Sequence, residues 1–308
     1  MGYLQDGLWH KDGQFPTTDR GDFVRKATLF RGDISEDSQF LPESQRYHLY
    51  VSLACPWAHR TLIMRILKGL SPHIGVSIVD PDMLENGWTF ATDKPGCTGD
   101  QLYQLRFLYE LYLRANSRLS CRVTVPVLWD KQLKTIVNNE SSDIIRLFNR
   151  AFNHLTDRTE DYYPEMYRED IDAWNDYVYT HVNNGVYACG FATTQTAYDQ
   201  AVSRLFSALE RLNDHFGNHD WLVGNQLTEA DVRLVPTLLR FDPVYHIHFK
   251  CNRRRIIDFP NLYSYLCRLR DLDAIKQTTD IEQIKRHYFY SHQHINPYRI
   301  IPAGPDQL

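Results

Sequence analysis

Two textures of apolar and polar residues divide the chain. Residues 1 to about 45 are polar, with Gly, Asp and Pro throughout, and predict an irregular extension wrapping the first domain. From Tyr47 the run YHLYVSLA is apolar and aromatic, and reads as a strand ending in a loop of small residues. Cys55 and Pro56 follow. Proline suits the first position of a helix, where its missing N–H would be unpaired anyway. Leu62, Ile63, Ile66, Leu67 and Leu70 then recur at the i, i+3, i+4 spacing of an amphipathic helix, with Gly69 and Pro72 where it should stop. IGVSIVD at 74–80 predicts a second strand. A long irregular stretch containing NGWTF comes next, then a helix over 101–115. RVTVPVLWD and KTIVNN predict a strand, a turn and a strand, followed by a helix capped near Ser141.

Beyond about residue 155 the period-two signal vanishes. Helical spacing covers 164–184, 195–215, 228–240, 260–270 and 280–290, and LTEADV resembles a capping box with Asp in place of Glu. The order is therefore strand–helix–strand, insertion, strand–strand–helix, then helices: an α/β domain followed by an all-helical one. The expected boundaries are an extension over 1–45, an α/β domain over 46–155, a helical domain over 156–290 and a Pro-rich tail over 291–308.

At 308 residues, 43% of them hydrophobic, the chain can bury two cores without staples. A net charge of -4 argues against general nucleic-acid binding, and Arg253-Arg254-Arg255 reads as a solvated patch. The six cysteines are scattered, without a CxxC pair, so neither a disulfide framework nor a zinc site is expected, and reduced thiols fit a cytoplasmic setting. Met1–Trp9 does not resemble a signal peptide, and no apolar run is long enough to span a membrane. His246 and His248 alternate as on one side of a strand but lack a third ligand, so no metal is expected.

Chemistry concentrates at Cys55. A helix N-terminus presents free N–H groups and about half a positive charge, both of which favour a thiolate. A free thiol titrates near ~8.5, and helix-start thiols at roughly 3.5–7.5. His59 and Arg60, one turn along, can add positive potential; a buried structural thiol is the alternative, which the cap geometry fixed by the proline argues against. Position 58 is Ala, so a local disulfide is impossible and an external thiol must resolve any mixed disulfide. At Val125-Pro126 a cis bond at a turn would let the Val125 backbone pair with an extended peptide; a trans proline at a strand start is the alternative. Ser141 and its neighbouring N–H groups could hold a carboxylate and Glu140 an ammonium, or the two form an ordinary cap.

C-P-W-A-H, then V-P, then E-S resembles the glutathione transferase superfamily, with its thioredoxin-like domain and helical domain; a Cys nucleophile resembles the omega-like branch. CPWAHR, NGWTF, RVTVPVLWD, NNESS and NPYRIIPAGP together resemble the glutathionyl-hydroquinone reductases, or xi-class glutathione transferases. The resemblance implies glutathione as co-substrate with no permanent cofactor, and Cys55 as nucleophile. Trp88 would pack over glutathione, Arg122 would pair a charged end (Arg114 competes for this), Val125 would pair its backbone, and Glu140 and Ser141 would hold its γ-glutamyl end. Tyr187 and Tyr288 would bond the quinol oxygen. It also implies a homodimer acting on glutathionylated quinols. Cys121 stands where the family often has Gly. Another omega-like reaction, such as thiol transfer or dehydroascorbate reduction, and a non-catalytic scaffold of the same fold are the alternatives.

Overall fold

The computed structural model describes residues 2–11, 13, 17–25 and 27–305. Residues 1, 12, 14–16, 26 and 306–308, parts of the expected extension and tail, lie outside the described residues. The chain forms two compact units: Met1–Gln14 with Ala27–Glu160, and Phe15–Lys26 with Asp161–Leu308.

The first unit opens with a hairpin, β1 (Tyr3–Gln5) and β2 (Leu8–His10), turned by Asp6 and Gly7, both at positive φ as such a tight turn demands. The extension expected to be irregular thus starts with paired strands, and Leu4 exchanges backbone hydrogen bonds with Cys121. The main sheet has the order β4–β3–β5–β6, with β3 spanning Tyr47–Val51, β4 Gly75–Ile78, β5 Val127–Asp130 and β6 Thr135–Asn138. β3 pairs parallel with β4 across the crossover helix α1 (Pro56–Leu67), and antiparallel with β5, which pairs antiparallel with β6. This is the thioredoxin-like order. Every residue of β3 and β5 is buried, so both lie inside the sheet with both faces covered. Asp130 closes the β5–β6 turn: it accepts from Gln132 and Leu133 N–H and pairs with buried Arg46, whose Nη2 lies 2.6 Å away. A buried carboxylate needs such partners.

Helix α2 spans Leu108–Ala115, not 101–115. Asp100 is the reason: its carboxylate gathers the N–H groups of Leu102, Tyr103 and Leu105, which holds that stretch in a loop. Glu110 then accepts from Arg106 and Phe107 N–H at 2.9 and 3.0 Å and starts the helix. Helix α3 (Ser141–Arg150) closes the unit.

The second unit is helical: α4 (Arg168–Val178), α5 (Asn184–Gly190), α6 (Gln195–His215), α7 (Glu229–Arg240), the short α8 (His246–His248), α9 (Pro260–Arg270), α10 (Asp273–Lys276) and α11 (Ile281–Ser291). Wider π-helical turns at Tyr179–Asn183 and Phe241–Tyr245 join α4 to α5 and α7 to α8. His246 and His248 therefore sit on a helical turn, not a strand. Two residues apart on a helix point roughly 200° apart, so they do not share a side. His248 instead meets His292, Nε2 to Nδ1 3.1 Å. The segment over 17–25 lies against the start of α6: Thr193 N–H donates to Gly21 O, and Thr194, the α6 N-cap, donates its hydroxyl to Arg20 O. Behind α11 the tail folds back, with Lys285 Nζ donating to Ala303 O at 2.6 Å and Asn296 to Phe289 O. Among the described residues no helix is long and apolar enough to cross a membrane.

Candidate functional site

Cys55 is the N-cap of α1, extended at φ −77° and ψ 121°, with Pro56 as the first helical residue. Strand β3 delivers it through the loop at Ser52, whose carbonyl accepts from Cys55 N–H and whose hydroxyl accepts from Ala54 N–H. The side chain is 9% exposed, and its thiol points at the Val125 carbonyl, 3.5 Å away. The Val125-Pro126 bond is cis. Ala58 is fully buried, and all six cysteines are free thiols. His59 and Arg60 are buried; Arg60 lies over the Trp57 ring and reaches Ser141 Oγ at 3.5 Å, linking the heads of α1 and α3.

Glu140 caps α3. Its carboxylate accepts from Ser142 N–H at 3.2 Å, from the hydroxyls of Ser141 and Ser142, and from Thr28 at 3.4 Å. Asn138 Oδ1 in turn receives Glu140 N–H at 2.8 Å. The arrangement is an N-cap in its own right, with a half-exposed carboxylate and a buried hydroxyl side by side at a helix N-terminus.

Helix α2 orders the rest. At its start Leu108 N–H donates to Trp88 O, and Gly87, at φ +67°, makes the tight turn that presents Trp88, itself 6% exposed. From its buried face Tyr112 donates to Thr124 O at 2.9 Å and accepts from Thr124 N–H and Asn139 Nδ2, each at 3.2 Å. One phenol thus holds the residue before Val125 and the residue before Glu140. Sequence reasoning missed Tyr112; it is one tyrosine in an amphipathic helix, and nothing local distinguishes it. Arg122 is half-buried between Cys121, paired to Leu4, and the clamped Thr124. Burial pushes the Cys121 thiol up to about 11, which disfavours its thiolate at neutral pH. Arg114 is exposed on the last turn of α2, with its guanidinium over the Tyr103 ring at 4.2 Å.

Tyr187 and Tyr288, 101 residues apart, meet in the second unit with their hydroxyls 2.7 Å apart. Tyr245 adds a third phenol, 3.0 Å from the Tyr288 hydroxyl. Tyr187 is half-buried, and Tyr288 and Tyr245 are buried, so the chain of hydroxyls runs inward. Burial raises the titration of both inner phenols well above that of an ordinary tyrosine, which keeps them protonated and able to donate. Tyr245 was not singled out from the sequence, where it is one of 19 tyrosines.

Residues 54–151 match the family Glutathione S-transferase, N-terminal domain, and residues 195–267 match Glutathione S-transferase, C-terminal domain. The chain is 54% identical over 315 residues to the glutathionyl-hydroquinone reductase YqjG of Escherichia coli, covering 100% of this chain and 96% of that one. It is 49% identical to the glutathionyl-hydroquinone reductase PcpF of Sphingobium chlorophenolicum, covering 100% and 97%. The glutathione-bound structure of YqjG superposes with a TM-score of 0.90 over 100% of this chain and 96% of that one. The glutathione-S-transferase Xi of Phanerochaete chrysosporium, 53% identical, superposes at 0.93 over 95% of each chain. Full-length identity of about half to two glutathionyl-hydroquinone reductases, and close superposition on Xi-class structures, show that the chain belongs to the glutathionyl-hydroquinone reductases, the Xi class of glutathione S-transferases.

Proposed function

We propose that this chain reduces S-glutathionyl-hydroquinones to free hydroquinones at Cys55, using a second glutathione as reductant. The observation that carries the reading is a monothiol: Cys55 heads α1 with its sulfur toward the Val125 carbonyl, and Ala58 occupies the position of a resolving cysteine. Such a thiol can accept glutathione but cannot release it without another thiol.

In the first step the Cys55 thiolate attacks the glutathione sulfur of the conjugate in its keto form. The S–S bond forms, the carbon–sulfur bond breaks, and its electron pair moves into the adjacent carbonyl to give the aromatic phenolate, whose oxygen takes a proton to complete the hydroquinone. The second glutathione, as thiolate, then attacks the Cys55–glutathione disulfide, releasing oxidised glutathione and restoring Cys55. Val125 would pair its backbone with the cysteinyl residue of glutathione, Glu140 and Ser141 would hold the γ-glutamyl end, Trp88 would pack on the tripeptide, and Arg122 would meet a carboxylate. What favours Arg122 over Arg114 is that it lies three residues before Val125, in the clamped segment, while Arg114 rests on Tyr103. Tyr187 and Tyr288, mutually bonded, would donate to the quinol oxygen as negative charge develops on it. Free thiols at all six cysteines suit a reducing compartment such as the cytoplasm.

The test supplies glutathionyl-menadiol and glutathione to the native protein and to Cys55→Ala, and follows loss of the conjugate by chromatography. Turnover by the native protein with loss of at least about a thousandfold in the variant is expected. Equal rates, or no turnover by the native protein, would sink the assignment.

A further inference from the structure

The segment over 17–25 belongs to the helical unit and carries a charge to the edge of the tyrosine chain. Thr18 and Asp22 close a small turn there, Thr18 hydroxyl to Asp22 Oδ2 3.1 Å, and Gly21 and Arg20 bond the start of α6. Phe23 then pairs back with Thr17 in an isolated antiparallel bridge. Val24 points outward, 39% exposed. Phe23 and Arg25 turn toward α5. Phe23 stacks on Tyr187 and lies tilted against Phe191, with centroids 6.3 and 5.5 Å apart. Arg25 Nε donates to Asn184 Oδ1 at 2.7 Å, and its guanidinium lies over the Tyr187 ring, 4.9 Å from the centroid. Asn184 and Tyr187 are three apart on α5, so they share a face and one arginine reaches both.

We propose that Arg25 is a positioning residue for the aryl oxygen of the substrate: pinned by Asn184 against the face of Tyr187, it favours negative charge on the oxygen to which Tyr187 donates. This rests on the role proposed for Tyr187. The chemistry is direct. A cation on a phenol's ring face stabilises the ring more as its hydroxyl gives up proton density, so the hydroxyl becomes a stronger donor. Tyr187 is the half-buried, outermost phenol of the three, and therefore the first that a substrate oxygen meets. The substrates favoured are hydroquinone conjugates whose oxygen carries charge readily, those with electron-withdrawing substituents above all. Arg25 itself is exposed, so the effect is that of a solvated cation–π contact and modest in size.

The experiment measures kcat/KM on glutathionyl-menadiol for the native enzyme, Arg25→Gln, Arg25→Lys, Tyr187→Phe and the double variant Arg25→Gln with Tyr187→Phe. Glutamine keeps a polar, planar head without the charge; lysine keeps the charge. Expected is an approximately two- to fivefold fall for Arg25→Gln, the size of an exposed cation–π contact, with recovery in Arg25→Lys. In the Tyr187→Phe background, where the ring remains and the hydroxyl is gone, Arg25→Gln should cost nothing further. Hydroxyethyl disulfide, which has no aryl oxygen, is the control substrate, and on it Arg25→Gln should turn over at the native rate. An unchanged rate on the quinol conjugate, a full additional loss in the Tyr187→Phe background, or an equal loss on both substrates overturns the proposal. Failure of the native enzyme on glutathionyl-menadiol would instead overturn the reductase reading, and the two failures are thereby separated.

Discussion

A thiol at a helix N-cap reacts according to what the helix offers it. Cys55 adopts the extended cap conformation, Pro56 fixes the first turn, and the sulfur lies beside the Val125 carbonyl at the positive end of α1. Iodoacetamide is therefore expected to alkylate Cys55 rapidly at pH 7, read by mass spectrometry of its peptide, with fully buried Cys251 slow in the same sample. A Cys55 rate that climbs only toward pH 8.5, as for a free thiol, would contradict the helix-start argument. Residue roles were unevenly legible. Cys55 stands out from a strand, a Pro and an amphipathic period around it. Tyr112 and Tyr245 do not, because their importance lies in partners 12 and 43 residues away, Thr124 and Tyr288.

Among the elements, α7 shows how a capping motif grows into a packing device. Thr228 and Asp231 form the expected box, with Asp231 Oδ2 accepting from Thr228 N–H at 2.9 Å and from its hydroxyl at 3.1 Å. The other carboxylate oxygen accepts from Leu222 N–H at 3.0 Å and Tyr265 hydroxyl at 2.8 Å, which ties the preceding loop and α9 to the start of α7. The aspartate is fully buried, so desolvation pushes its titration up while these four donors pull it back. Asp231→Ala strands buried donors on three elements and should cost roughly 3–5 kcal/mol, seen as a lowered midpoint in urea. A cost below about 1 kcal/mol would mean the box works only as a surface cap. The box itself was readable in LTEADV; its reach to Leu222 and Tyr265 was not. The expected helix over 101–115 shows the converse case. Its start was displaced to Leu108 by Asp100, whose side chain competes for the backbone donors of 102–105.

Across the whole molecule, burial of neutral histidines sets a pH limit. His48, inside β3 and bonded to Ser77 Oγ at 2.8 Å, is lowered by burial to about 4, and His248 likewise to about 3. His292 is also held well below an ordinary histidine, again chiefly by burial. In the unfolded chain each titrates near 6.5, so between that value and the folded one the unfolded state binds more protons. The stabilisation is complete above pH 6.5 and is lost as pH falls toward 4. For His48 the interval from 6.5 to about 4 corresponds to about 3 kcal/mol. The thermal midpoint should therefore fall steadily from pH 6.5 to 4.5, and His48→Gln should flatten part of that slope. A midpoint independent of pH across this range would show that these imidazoles are not buried neutral.

The sequence by itself determined the order of elements from β3 to α3, the two-part division into an α/β stretch and a helical one, the start of α1 at Cys55 and the caps of α3 and α7. These are decided within four or five residues, by side-chain period, by proline's lost donor and by carboxylates that reach their own helix. It also carried the family resemblance that full-length relatives bear out. The strings left the Val125-Pro126 isomer open and placed His246 and His248 on a strand, and they could not pick out Tyr112, Tyr245 or Arg25. Only the tertiary structure decided those, and for the side chains the reason is a partner beyond local reach: Tyr112 bonds a residue 12 positions on, Tyr245 a phenol 43 positions on, and Arg25 an amide 159 positions away. Local interactions are written in the spacing of residues. Burial, which sets whether a side chain is charged and whom it can reach, exists only once distant segments have excluded water from one another.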